Sequence, residues 1–434
     1  MASQGVSRAR LRLAAAMIAV GCHQASAQSL TPAQLERKAL RIQGIVESKI
    51  IQEHGMIPMF VRPNDYRLPA AEDYRGAYRH RHLKGKTEAE AGLPPMHVWR
   101  AWENTTSDTA FYLGALSYRY RATGDPAVLR QCRRTFGALK HIYDLGAQDE
   151  AGFVTKPYGG KYSKQSSGDQ VQCLVVGLEA YRHIAPPEDR AVLETMFRNL
   201  ADHQIKYRYY AKHGYFAHAK PESGADPASR DWSDALIYIP LLHLAWQATG
   251  DAKYVSEIEA WYSRCGTDRK WPVPSGVIEG YTGHRMLYLP SLMMELDPSH
   301  HELWRSMMYN VFRTLRTGVL SSGEAYTSWT HDLETGKTAP KHPGWGGGPT
   351  RTGRIAIFAR ACVNAQRWFP RENMSATARM IVEGLDMRTF RFIMPVSDRD
   401  VLPAEWKIEG ELIDLDSVTG WLWAYWEGRW RGYW

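Results

Sequence analysis

The chain has 434 residues, 44% of them hydrophobic and 23% charged, an ordinary globular composition with ample apolar material for a sizeable core. Its formal charge of +8 comes from scattered basic residues without any nucleic-acid motif, which sets DNA and RNA aside and makes an acidic carbohydrate the more natural partner. Sixteen Trp and twenty-three Tyr either pack a core or line a groove in which flat faces stack on a ligand.

The first 27 residues read as a secretory signal. Arg8, Arg10 and Arg12 precede the short apolar run Leu13 to Gly21, and Ala25-Ser26-Ala27 offers a small-residue cleavage site. The run is too short to span a bilayer, and Ala-Val-Gly before Cys22 is a poor lipoprotein box. A periplasmic or secreted protein is expected, with no membrane attachment after cleavage and the mature charge lowered by those three arginines. The four remaining cysteines, Cys132, Cys173, Cys265 and Cys362, have no CxxC spacing. They read as buried thiols, one disulfide being the alternative. No HExxH or other metal spacing occurs, and no metal or cofactor is expected.

Residues 28–434 then read as one all-α domain. A single helix opens it, about Pro32 to Glu53. Phe111 to Phe136 echoes Leu236 to Tyr262: each is an apolar helix ending in Ala-Thr-Gly-Asp, followed by an amphipathic one. Gly124 and Gly250 suit a left-handed helix stop, and Asp125 and Asp251 suit the next N-cap. Further hairpins join Asp169–His183 to Ala191–Tyr207, Tyr281–Glu295 to Glu302–Leu315, and Thr352–Phe369 to Ala376–Gly384. A closing helix runs from about Asp414 to Trp426. An opening outer helix and a closing inner one complete a ring, so the expected fold is an (α/α) toroid of six helical hairpins, or seven if Ala70 to Met96 supplies another pair. A monomer is expected.

Turns after the inner helices are short, whereas the segments entering them are long, polar and aromatic. Such loops would converge at one end of the ring as a broad cleft. The entries contribute Glu103, Asn104 and Asp108; Asp169 and Gln170; Asp231 and Asp234; Tyr281, His284, Arg285 and Tyr288; Arg351 and Arg354; and Asp414 and Asp416. Capping or network roles alone would account for Asp231, Asp234, Asp414 and Asp416. Glu324, Trp329, Trp345 and Gly346-Gly347-Gly348 form either a plain surface loop or an aromatic lip over sugar rings.

Capping does not require the combination in IEGYTGHRMLY. Tyr281, His284, Arg285 and Tyr288 stand at i, i+3, i+4 and i+7, one face of a helix. They form either a buried cluster or a proton-transfer site. Abstracting the C5 proton of a uronic acid needs donors that stabilise its carboxylate as charge develops, and a group that takes and returns a proton. Tyrosine serves if a cation lowers its pKa, and Asn104 and Gln170 add amides from neighbouring helices. A glycosidase would instead need two carboxylates, with Glu103 or Asp108 set against Asp169, Asp234 or Glu279.

The helical-hairpin ring, the leader, and the segments ENTTSD, SSGDQ and EGYTGHR together resemble polysaccharide lyase family 38, whose members cleave glucuronan or alginate. The resemblance extends over most of the mature chain. It implies β-elimination by one tyrosine acting as base and acid without a metal, which lands on Tyr281 or Tyr288. Gln170 and His284 would then contact substrate, joined by Arg285, Asn104, Glu103, Asp169, Trp345 and Arg351. Unsaturated uronyl hydrolases and N-acylglucosamine epimerases use similar rings. The alternatives to a lyase are a toroidal glycoside hydrolase with paired carboxylates and a non-catalytic glycan-binding protein.

Overall fold

In a computed structural model the described residues are 29–73, 94–209, 232–265, 287–326, 329–331, 338–340, 351–352, 355–392 and 412–434; at 96, 232–234, 326, 329–331, 338–340, 351–352 and 391–392 the backbone alone is described. The leader, residues 1–28, lies outside them. Helix α1 (Pro32–Ile45) starts in a capping box in which Thr31 and Gln34 exchange hydrogen bonds. A π-helical turn, Val46–Ile50, ends this opening helix short of the expected Glu53.

Five hairpins follow. Helix α2 (Met96–Trp102) is a short lead-in. Helices α3 (Thr105–Thr123) and α4 (Pro126–Ala147) make the first pair, α5 (Gly168–Arg182) and α6 (Pro187–Lys206) the second, and α7 (Trp232–Thr249) and α8 (Ala252–Cys265) the third. Helices α9 (Leu289–Leu296) and α10 (His301–Leu315), then α11 (Ile355–Ala365) and α12 (Met374–Gly384), complete the series before the closing helix α13 (Leu415–Trp430). The Ala-Thr-Gly-Asp turns behave as the sequence predicts. Gly124 and Gly250 take φ of 66° and 70°, and Asp125 and Asp251 accept hydrogen bonds from the Ala127 and Lys253 amides.

Helices α3, α5, α7, α9, α11 and α13 pack in that order, and α13 packs back on α3 to close an inner ring. The partners form the outer layer, with α1 against α13 as the sixth pair. That last pairing is held by Trp426, whose Nε1 donates to Gln43, and by the Arg429–Glu36 ion pair at 2.7 Å. Direct contact between α13 and α3 leaves no place for another inner helix there, so the ring has six hairpins among the described residues. The fold is the expected (α/α) toroid.

Inner helices are buried all round: α3 from Thr105 to Tyr118 and α13 from Leu415 to Gly428. Outer helices are amphipathic, showing the ring only their apolar stripes. Cys132 and Cys362 are buried free thiols, and Cys173 and Cys265 are buried as well. No described helix is long and apolar enough to cross a membrane.

Short strands, not anticipated from the sequence, decorate the ring. β1 (Phe60–Val61), β7 (Leu412–Asp414) and β6 (Arg391–Phe392) form an antiparallel sheet with β7 in the middle; β2 (Ala325–Tyr326) pairs with β5 (Arg351–Thr352), and β3 (Trp329–His331) with β4 (Thr338–Pro340). Two to three residues each, they are too short for the alternation by which strands are recognised. β7 runs straight into α13 and so fixes where that helix begins.

Candidate active site

The entries to α13, α3 and α5 meet at one end of the ring. Asn104 stands at the N-cap of α3, yet its side chain does not cap that helix. Instead its Nδ2 donates to Asp416 Oδ2 of α13 at 3.2 Å, while Ser107 Oγ donates to the other oxygen of Asp416 at 3.1 Å. On the opposite side Gln170 Nε2, from α5, donates to Asn104 Oδ1 at 3.2 Å and to Asp169 Oδ2 at 3.3 Å. One chain of hydrogen bonds therefore runs Asp169–Gln170–Asn104–Asp416 across three inner helices. Asp416 and Gln170 are fully buried, and Asp169 is half-buried.

Asp108 lies one turn into α3 on the same face as Asn104, and its amide donates to the Asn104 carbonyl at 2.9 Å. It too is fully buried. Asp414 accepts from Ser417 Oγ at 3.0 Å, so Asp414 and Asp416 both have the network roles that the sequence allows them.

Glu103 faces the loop before α5. Lys156 Nζ meets its Oε1 at 3.3 Å and Arg100 its Oε2 at 3.6 Å. Lys156 is only 2% exposed. Its loop is rigidified by Thr155 Oγ1 donating to the Ser163 carbonyl at 2.6 Å, and by the Lys156 amide donating to Gln165 O at 2.8 Å. Tyr158 in the same loop is buried, and burial, reinforced by the Glu103 charge, drives its phenol above the ordinary range. Lys156, Tyr158 and Ser107 do not stand out in the sequence. Their only signal there is membership of a long entry loop or of ENTTSD.

Tyr288 has a different setting. It stands just before Leu289 of α9, in helical backbone packed within the inner ring. There Tyr288, 1% exposed, meets Trp423 edge-on with centroids 5.6 Å apart and lies under the Arg360 guanidinium at 4.3 Å. Arg360 favours the phenolate, but burial outweighs it and the phenol is driven well above its usual range. The cation expected to activate a tyrosine is present at Tyr288 and loses to desolvation.

Tyr281, His284, Arg285, Trp345, Asp231, Arg354 and Gly346 to Gly348 lie outside the described residues. Arg351 is described only as a strand residue of β5, opposite Tyr326, and Asp234 only as part of the α7 backbone. Glu324 accepts from Ser322 Oγ at 3.0 Å. No group of three or more His, Cys, Asp or Glu that could hold a metal ion occurs among the described residues. At the mouth, Ser167 Oγ, Thr105 Oγ1, Thr106 Oγ1 and Gln170 Oε1 are buried without a hydrogen-bond partner among the described residues. Of these, Gln170 Oε1 belongs to the amide chain itself, and a buried acceptor left unsatisfied is a place for a polar molecule to bind.

No protein-family model matches the chain, and no curated protein sequence does. Solved structures match over nearly the whole length. An unsaturated glucuronyl hydrolase specific for heparin is 12% identical and aligns over 92% of this chain and 96% of its own, with a TM-score of 0.51. A sugar epimerase from a ruminal bacterium is 11% identical over 92% and 98%, with a TM-score of 0.54. A variant unsaturated glucuronyl hydrolase from Streptococcus agalactiae, in complex with dGlcA-GalNAc6S, is 13% identical over 92% and 93%, with a TM-score of 0.51. At such identities the likeness establishes the architecture: this chain has the (α/α) toroid fold found in those enzymes.

Proposed function

We propose that this chain is an exported enzyme that hydrolyses uronate-bearing saccharides, with carboxylates at the ring mouth doing the chemistry. The observation that carries the reading is the placement of Asp108 and Asp169 at the starts of consecutive inner helices, on either side of the Asn104–Gln170 amide pair. Paired carboxylates across a sugar linkage are the minimum equipment for glycoside hydrolysis. Asp169, the more exposed, would move the proton, and the buried Asp108 would hold the water or hydroxyl that attacks. Supporting it, aspartate-to-asparagine variants of the streptococcal hydrolase were solved at two positions sixty residues apart; Asp108 and Asp169 are sixty-one apart. That parallel suggests an unsaturated uronyl end group as the first substrate to try: an acid protonates its enol ether, and water adds to the resulting cation.

The second reading is β-elimination from a glucuronan or alginate type of polymer, with Tyr281 as base and acid. It is favoured by the Asn104 amide at the mouth, whose remaining N–H can donate to charge that develops in the transition state. The burial of Tyr288 leaves Tyr281 as its tyrosine.

Ultraviolet absorbance at roughly 235 nm, where 4,5-unsaturated uronates absorb, separates the readings by sign. Incubation with unsaturated uronyl disaccharides should lower it. A rise on glucuronan or alginate would establish elimination instead, and new reducing ends without change would indicate hydrolysis of saturated linkages. Binding with no product from any of them would leave a glycan-binding protein.

A further inference from the structure

We propose that Gln170 and Asn104 form a subsite that reads a sugar hydroxyl, not a uronate carboxylate; the inference rests on the mouth being a saccharide site. A count of hydrogens supports it. A primary amide has two N–H donors and one carbonyl oxygen. Both donors of Gln170 are engaged, one by Asn104 Oδ1 and one by Asp169 Oδ2. Its Oε1 is buried and has no partner among the described residues. Asn104 uses one N–H on Asp416 and its oxygen on Gln170, leaving one donor.

Amide orientation is ordinarily a matter of inference, but here carboxylates fix it at both ends. Turning Gln170 over would set its oxygen against Asp169 and against Asn104 Oδ1. Turning Asn104 as well would move the same repulsion to Asp416. The chain of bonds therefore has one sense, and the positions it leaves over are an acceptor on Gln170 and a donor on Asn104, the two amides being joined directly.

A hydroxyl group both donates and accepts, so it satisfies Gln170 Oε1 and Asn104 Nδ2 together. A carboxylate only accepts: it would face the lone pairs of Oε1 at a place already holding Asp169 and Asp416. The buried, unsatisfied oxygen costs stability until such a donor arrives, and the neighbouring hydroxyl of Ser167, buried without a described partner, extends the same polar lining. A uronate bound here turns a ring hydroxyl toward the amides and places its carboxyl elsewhere.

The test compares two probes by titration calorimetry: a β-1,4-linked glucuronic acid trisaccharide, and cellotriose, its carboxyl-reduced counterpart. Gln170→Met, which keeps volume and removes the amide, should weaken both by the same factor, about tenfold for one lost hydrogen bond. A loss confined to the acidic sugar would assign Gln170 to the carboxylate and overturn the proposal, as would no loss for either or no binding of either by the native chain. Should Gln170→Met not fold, Gln170→Asn, which withdraws the amide by one methylene, is read in the same way. The outcome is separable from the hydrolytic reading: equal weakening in a protein without turnover keeps the subsite and sinks the enzyme.

Discussion

Gly114 of α3 lies flat against the indole of Trp423 on α13: a Cβ at position 114 would fall 1.9 Å from the ring. Trp423 cannot give way. Its Nε1 donates to Glu427 Oε2 at 2.9 Å, and the Arg360 guanidinium sits 4.6 Å from its ring. Gly114→Ala sets two effects against each other. Alanine gains about 1 kcal/mol of helix propensity, whereas overpacking a filled core costs about 1–3 kcal/mol, occasionally more, and a contact this close belongs at the costly end. Net destabilisation of about 1–2 kcal/mol is expected in denaturant unfolding; an unchanged midpoint would show that α3 and α13 can separate.

The Glu103–Lys156 pair joins the short lead-in helix to the entry loop of α5, and both side chains are largely out of water. Removing one member of a buried pair strands the other, at about 3–5 kcal/mol. Arg100, 3.6 Å from Glu103, remains to compensate part of the charge, so Lys156→Met should cost about 2–3 kcal/mol. The double variant with Glu103→Gln should recover stability relative to Lys156→Met alone. A double variant less stable than either single one would mean the ion pair is not what holds the loop.

His243 supplies a pH dependence with a definite sign. Burial lowers its pKa from 6.5 to about 4, against the weaker opposing pull of Asp297, with His300 adding to the decrease. The folded state thus keeps the ring neutral where the unfolded chain has already protonated it. Stability present above pH 6.5 is lost as pH falls toward 4, at about 1.4 kcal/mol per pH step between those two values and on the order of 3 kcal/mol in all. Asp297, held below its usual range and accepting from Tyr262, Ser299 and His300, titrates lower and does not mask the effect. The difference in unfolding free energy between native protein and His243→Leu should vary with pH across this window. A flat difference would refute the assignment.

How far the sequence carries depends on whether a signal is local. The Gly124-Asp125 and Gly250-Asp251 turns are legible because a left-handed glycine and an N-cap aspartate act within four residues, and the ring follows from repeating them. Asn104, Gln170 and Asp169 are recognisable as entry residues, and the structure brings them together with Asp416. The Asn104–Asp416 contact spans 312 positions, and no spacing rule reaches that far. Tyr288 shows the opposite limit. The i, i+3, i+4, i+7 pattern marks it as a helix-face residue, but its burial is set by Trp423 of α13 and Arg360 of α11, partners that only packing reveals. Lys156 is hidden for a related reason: burial of a loop lysine is set by the carboxylate it meets.

The sharpest prediction divides the catalytic assignments among three residues. Tyr288→Phe removes one hydroxyl from a ring whose edge-on contact with Trp423 and stacking under Arg360 survive the change. A phenol driven well above its normal range by burial is a poor base near neutral pH, because so little phenolate is present. Activity within about threefold of the native protein is expected, judged against the about 100- to 10,000-fold that general acid–base groups typically contribute. Asp169→Asn keeps shape and loses the exchangeable proton, and should fall by that larger factor with its thermal midpoint little changed, since Asp169 is only half-buried. Tyr281→Phe should resemble Tyr288→Phe if the carboxylates do the work. Were Tyr281→Phe inactive and Asp169→Asn active, elimination would replace hydrolysis, and Asp169 would have a structural role that includes its hydrogen bond to Gln170 at 3.3 Å.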